Sequence, residues 1–202
     1  MSETKQIKNA KTRKITDKKT QSLPKDETKQ ITQSKTRSKK IKHSFSVKDA
    51  ENSILLKLKN GDVVIEMFPN VAPNHVARIK ELVRQEFYNG LKFHRVIDGF
   101  MAQTGCPRGD GMGRSGVSIP AEFSAEPFLR GTVGMARAAD RNSADSQFFI
   151  CFQNSRFLDG QYTVWGNVIS GMENVDKIKR GDDMDNGRVE NPDKIIKAEI
   201  ID

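Results

Sequence analysis

What most constrains this chain is the shortness of its apolar runs. Ile54-Leu55-Leu56-Lys57-Leu58-Lys59 and Asp62-Val63-Val64-Ile65-Glu66-Met67-Phe68 flank Asn60-Gly61, the strongest local signal for a β-hairpin with a type I′ turn. Further short strand-like runs follow at 91–103, 131–138, 146–151, 162–169 and 194–201. Glycine, proline or polar clusters separate them. Only two segments show helical spacing. Pro73 opens the first, and Val76, Ile79, Leu82 and Val83 give it one apolar stripe through about Gln85. The second runs from Gly171 to Lys179, with Met172, Val175 and Ile178 on one side. A mainly β domain follows: many short strands with only two helices argue a closed antiparallel barrel. Closure would remove the edges that so many short strands otherwise expose.

Charge divides the chain. Residues 1–50 hold fifteen Lys and Arg against five Asp and Glu, a net of +10. The remainder holds nineteen against twenty-one, a net of −2, so the whole-chain +8 belongs to the leader. That leader is rich in Lys, Thr, Ser and Gln, with Ile7, Ile15, Leu23, Ile31 and Ile41 too sparse to offset ordering entropy. It reads as a disordered basic tail, residues 1–50, ahead of a folded domain at 53–202. Such a tail either is solvated without a target or contacts nucleic acid or another acidic surface. No apolar run is long enough to span a bilayer, and no apolar core marks a secretory leader, so the cytoplasm is the expected address. Cys106 and Cys151 read as two reduced thiols in or near a core. His75, near the start of the first helix, is expected to face solvent.

Residues 104–118 form a glycine-rich loop in which Gly111, Gly113 and Gly116 formally match G-x-G-x-x-G. The match is rejected, because no Val/Ile-rich strand leads into it and Pro120 stands where a helix should run. The stretch Phe93 to Gln103 is the chemically informative one. On a strand, Phe93, Arg95 and Ile97 share a face, while His94 points to the opposite one and reads as structural. An arginine among apolar residues needs a partner or a task.

Phe93-His94-Arg95-Val96-Ile97-Asp98-Gly99-Phe100-Met101-Ala102-Gln103-Thr104-Gly105 resembles the signature of the cyclophilins, the peptidyl-prolyl cis-trans isomerases. Ser146-Gln147-Phe148-Phe149-Ile150 and Phe157-Leu158-Asp159-Gly160 resemble two further cyclophilin blocks, in the family's order. The resemblance implies a closed eight-stranded antiparallel barrel capped by two α-helices, with the active groove on its outside, and isomerase activity on X-Pro bonds in the service of protein folding. It implies Arg95 and Gln103 as the catalytic pair. Phe100, Met101, Phe149 and Leu158 would form the walls of a proline pocket, with Gln147 among the polar groups that hold the peptide. Ala136 and Arg137 would meet the substrate backbone. Phe157 and Tyr162 stand where well-known eukaryotic members carry Trp and His, and Arg137 where they carry Asn. These choices resemble bacterial cyclophilins.

The implied partners are proline-containing peptides and unfolded or folding chains. Cyclosporin binding should be weak, because Phe157 lacks the N–H that a Trp would offer. A monomer is expected, and the chemistry calls for no metal and no cofactor. The residues leave two other readings open: a non-catalytic module that binds proline segments, or association with nucleic acid through the tail.

Overall fold

The computed structural model describes residues 49–201. The expected disordered tail therefore lies outside the described residues, apart from its last two positions. β1 (Ser53–Leu58) and β2 (Gly61–Met67) form the expected hairpin. The register pairs Leu58 with Gly61, so the loop is Lys59-Asn60, not Asn60-Gly61. Positive φ falls on Gly61, and neither loop residue adopts it, so the turn is not type I′.

α1 (Pro73–Arg84) follows, with proline in its first turn and Val76, Ile79, Leu82 and Val83 in the core. β3 (Arg95–Ile97) and β4 (Met101–Thr104) divide the central stretch. β5 (Thr132–Met135), β6 (Phe148–Cys151), β7 (Val164–Ser170) and β8 (Lys197–Ile200) complete one sheet, ordered β3-β4-β6-β5-β7-β2-β1-β8. Every neighbouring pair is antiparallel. The second helix, α2 (Met172–Val175), is a single turn, shorter than its apolar spacing suggested. Turns continue from it, and Val175 and Ile178 both reach the core.

The expected closed barrel is not what forms: the sheet is open and curled, with β3 and β8 as its ends. Irregular backbone from 187 to 195 lies along the β3 side. Gly187 accepts from Val96 N–H at 2.7 Å, Asp193 accepts from Phe93 at 2.9 Å, and Ile195 accepts from Gly90 at 2.7 Å. Pro192 lacks an N–H, and Asn191 has φ 51, so this segment cannot run as a ladder-forming strand. The edge of β3 is thus covered by loop backbone, a second way of keeping unpaired strand groups from neighbours.

Strand alternation separates two apolar clusters. On β6, Phe148 and Ile150 enter the main core with Trp165, Tyr88 and Phe93. Phe149 and Cys151 face the other way, joining Met101, Phe128, Leu158 and Val164. All four β6 residues are buried, so the strand is apolar on both faces. Both cysteines are free and buried, and burial pushes the Cys151 thiol up to about 12.

His75 corrects its expectation. It is fully buried, with Nδ1 2.6 Å from Glu122 Oε2. Glu122 also accepts from the N–H groups of Asn74 and His75, each at 3.0 Å. A carboxylate distant in sequence thereby serves a helix start that has no acidic residue of its own. Burial lowers the His75 pKa, against the pull of Glu122.

Candidate active site

β3 and β4 set Arg95 directly across from Gln103, and Ile97 across from Met101. The strand begins only at Arg95, so alternation does not extend back to Phe93. Phe93 is fully buried in the main core, not on the Arg95 face. His94 is likewise not set apart: it is buried beside Arg95 in the wall of a shared trough, and burial lowers its pKa.

The guanidinium of Arg95 is tied on two sides. Nη1 donates to Gln103 Oε1 at 3.2 Å. Nε donates to the main-chain oxygen of Asn186 at 3.0 Å, and Nη2 to Asn186 Oδ1 at 2.8 Å. Gln103 is itself anchored, its Nε2 donating to Gln147 Oε1 at 3.0 Å. Gln147 Nε2 donates in turn to the carbonyls of Gly111 and Gly113, at 2.8 and 3.0 Å. A line of hydrogen bonds therefore runs from the glycine-rich loop to the arginine. Among the described residues, three of the five guanidinium N–H groups are engaged, leaving one on each terminal nitrogen. Desolvation lowers the Arg95 pKa. Arginine's high starting value still keeps it cationic at neutral pH.

Beside this arginine lies a hollow of about 280 Å³. Met101, Phe149 and Leu158 make its floor, with Phe149 6 % and Met101 1 % exposed. The floor is supported from beneath. Phe149 stacks on Phe128, centroids 5.7 Å apart and planes at 20°. Gly134 makes room for both rings, since a Cβ there would lie 2.5 Å from Phe128 Cε1 and 2.6 Å from Phe149 Cζ. Phe100 and Phe157 form one rim, centroids 5.3 Å apart, and Phe157 is 65 % exposed. Ala136, Arg137 and Tyr162 form another part of the lining. Arg137 lies over the Tyr162 ring at 4.5 Å and donates to the carbonyls of Ala138, Ala139 and Gln161.

Ten of the eleven sequence-assigned residues line this hollow. Gln147 does not; it stands behind Gln103 and fixes that side chain. Asn186 is the residue the sequence reading missed. It lies 91 positions from Arg95, and only its Asn-Gly pair hints at a special backbone conformation. A larger trough, about 1400 Å³, shares Arg95, Gln103 and Arg137 with the hollow but is walled by charged loop residues such as Asp182, Arg188 and Lys194. Size does not decide between them. The smaller space has the apolar floor and the placed cation that small-ligand recognition needs.

The comparisons agree with this geometry. Residues 53–200 match the family described as cyclophilin type peptidyl-prolyl cis-trans isomerase/CLD. A probable peptidyl-prolyl cis-trans isomerase of Brucella suis is 58% identical over 167 residues, covering 77% of this chain and 85% of that protein. Peptidyl-prolyl cis-trans isomerase B of Bacillus subtilis is 40% identical, with 66% of this chain and 94% of that protein covered. Among solved structures, a cyclophilin from Hirschia baltica superposes with a TM-score of 0.68 at 29% identity, covering 75% of this chain and 74% of that one. A cyclophilin type isomerase from Cryptosporidium parvum, crystallised in the presence of the dipeptide Ala-Pro, also gives 0.68, at 26% identity, covering 74% of this chain and 99% of that one. With the signature arginine set against an apolar hollow on an antiparallel sheet, this chain belongs to the cyclophilin-type peptidyl-prolyl cis-trans isomerases.

Proposed function

We propose that the 280 Å³ hollow receives the proline ring of an X-Pro segment and that Arg95 donates to the prolyl nitrogen as the bond turns. Rotation about X-Pro is slow because the amide carries partial double-bond character, with a barrier of roughly 18–20 kcal/mol. No covalent bond is made or broken, so neither a nucleophile nor a general base is required. At the twisted geometry the imide nitrogen becomes pyramidal and recovers its lone pair. A donor placed there stabilises the twisted state more than either planar one.

The observation that carries this reading is the partly committed guanidinium. Three N–H groups hold it in place, and two have no partner among the described residues, at the edge of an apolar hollow. The floor of Met101, Phe149 and Leu158 strengthens the cation's field by keeping water away. Ala136 and Arg137, at the rim, are the backbone positions we assign to the substrate's own main chain. The Ala-Pro dipeptide named with the Cryptosporidium relative supports a proline-containing peptide as ligand here. Folding chains that expose X-Pro bonds are the substrates we assign.

The test is a protease-coupled isomerase assay on a proline tetrapeptide with Arg95→Ala. The expected result is a fall in kcat/KM of about a hundredfold or more with unchanged thermal stability. Near-wild-type turnover in that variant would overturn the mechanism. Intact peptide binding by a wild-type protein that shows no turnover would favour the proline-segment binding module instead.

A further inference from the structure

We infer that Asn186 is a positioning residue for Arg95: its main-chain and side-chain oxygens together grip one edge of the guanidinium and leave the other edge for the substrate. This rests on the reading of Arg95 as the catalytic donor.

The clamp follows from an unusual backbone. Asp182 Oδ1 accepts from Met184 N–H at 2.9 Å and starts a 3-10 turn, Asp183–Asp185. Asn186 ends that turn in the left-handed region, at φ 49 and ψ 37. Asparagine is one of the few side chains that adopt this region readily. Here Asn186 presents both of its oxygens to one partner, accepting from Nε–H at 3.0 Å and from Nη2–H at 2.8 Å. Those two nitrogens share an edge of the planar guanidinium, so the pair acts as a two-point clamp.

The loop that carries Asn186 is fastened to the strand that carries Arg95. Gly187, at φ 77, accepts from Val96 N–H at 2.7 Å. A Cβ at Gly187 would lie 2.4 Å from Ile97 Cγ1, so only glycine permits this approach. Gly181 N–H donates back to Val96 O at 2.8 Å. Asn186 is therefore fixed relative to β3 and does not follow the arginine passively. Gln103 holds Nη1 from the opposite strand, and both supports together limit a long, rotamer-rich side chain to one orientation. Asparagine also supplies the two acceptors without a negative charge, so the field of Arg95 at the hollow is reduced less than an Asp or Glu partner would reduce it.

The experiment is a double-mutant cycle in the full chain, with Asn186→Gly, Arg95→Ala and both. Glycine tolerates φ 49 and keeps the main-chain acceptor, so only the amide side chain is lost. In the wild-type background Asn186→Gly should lower kcat about tenfold with KM changed by less than about twofold. In the Arg95→Ala background the same change should leave the residual rate unaltered. An equal loss in both backgrounds, or no loss in the first, would overturn the inference. If Arg95→Ala itself has no effect, the failure lies with the catalytic reading instead. A readout free of variants comes from the nitrogen-15 NMR signal of the Arg95 Nε–H in the wild-type chain. It should be resolved and protected from solvent exchange; exchange as fast as that of a free arginine side chain would overturn the clamp even if Asn186→Gly did not fold.

Discussion

The floor of the hollow and the polar shelf above it are built on different principles. Met101 and Phe149 are alternate residues of adjoining paired strands, placed by sheet register and buried against Phe128. The shelf is a set of hydrogen bonds linking Asn186, Arg95, Gln103 and Gln147, drawn from three separate stretches of the chain. The floor owes its position to non-directional packing, which is distributed over many contacts. The shelf owes its position to a few bonds, of which the two from Arg95 to Asn186 are solvent-exposed, and each such bond contributes only modestly to stability. Damage to the floor should therefore cost both stability and rate, whereas damage to the shelf should cost rate alone.

The sharpest break of that contrast is Gly134→Ala. The added methyl would meet the Phe128 and Phe149 rings at 2.5–2.6 Å, on a strand paired on both sides. We expect a loss of about 1–3 kcal/mol in stability and, as Phe149 is pushed into the hollow, a rise in KM of about tenfold. Chemical denaturation and steady-state kinetics on the one variant check both. A variant that loses stability but keeps its KM would separate the floor from binding.

Gln103→Ala comes next. It removes the support on Nη1 and the donor to Gln147 Oε1, both at part-buried positions. The expected effect is about a fivefold fall in kcat with stability changed by less than about 0.5 kcal/mol. A large drop in melting temperature would show that the shelf is structural after all.

The smallest effect concerns pH. His75 and His94 are buried, and desolvation lowers the pKa of each below the ordinary 6.5. The unfolded chain then binds more protons than the folded one below that value. Stability from both groups is present above about pH 6.5 and is lost as the pH falls toward their folded pKa values. The carboxyl of Glu122 acts in the same sense at lower pH. Burial raises it, but the bonds from His75 and Asn74 outweigh that and hold it below 4.5. Thermal melts from about pH 8 to pH 5 should show a steady decline that begins near 6.5. A flat profile would mean that the two rings are hydrated in solution.

Local pattern accounted for much of the molecule. The hairpin and α1 follow from runs of neighbours in sequence, where propensity and period act directly, whereas 91–103 read only as strand and its division into β3 and β4 came from the structure. Arg95, Gln103 and the apolar lining were legible because they sit in three short blocks with a family's order. Phe93 and His75 were misread because their surroundings come from elsewhere. Phe93 precedes the strand proper, and His75 is buried only because Glu122, 47 positions away, folds over the helix start.

What the amino-acid order decided by itself was the set of short strands, the apolar identities around the hollow, and an arginine that needed a task. What only tertiary structure decided was how those parts are held. Irregular backbone at Gly181 and Gly187 covers the β3 edge, where closure of the barrel was expected. The same long return of the chain brings Asn186 onto Arg95. Neither could be read locally, because a hydrogen bond between residues 91 positions apart leaves no period and no propensity at either end. It exists only once the intervening sheet has set the distance.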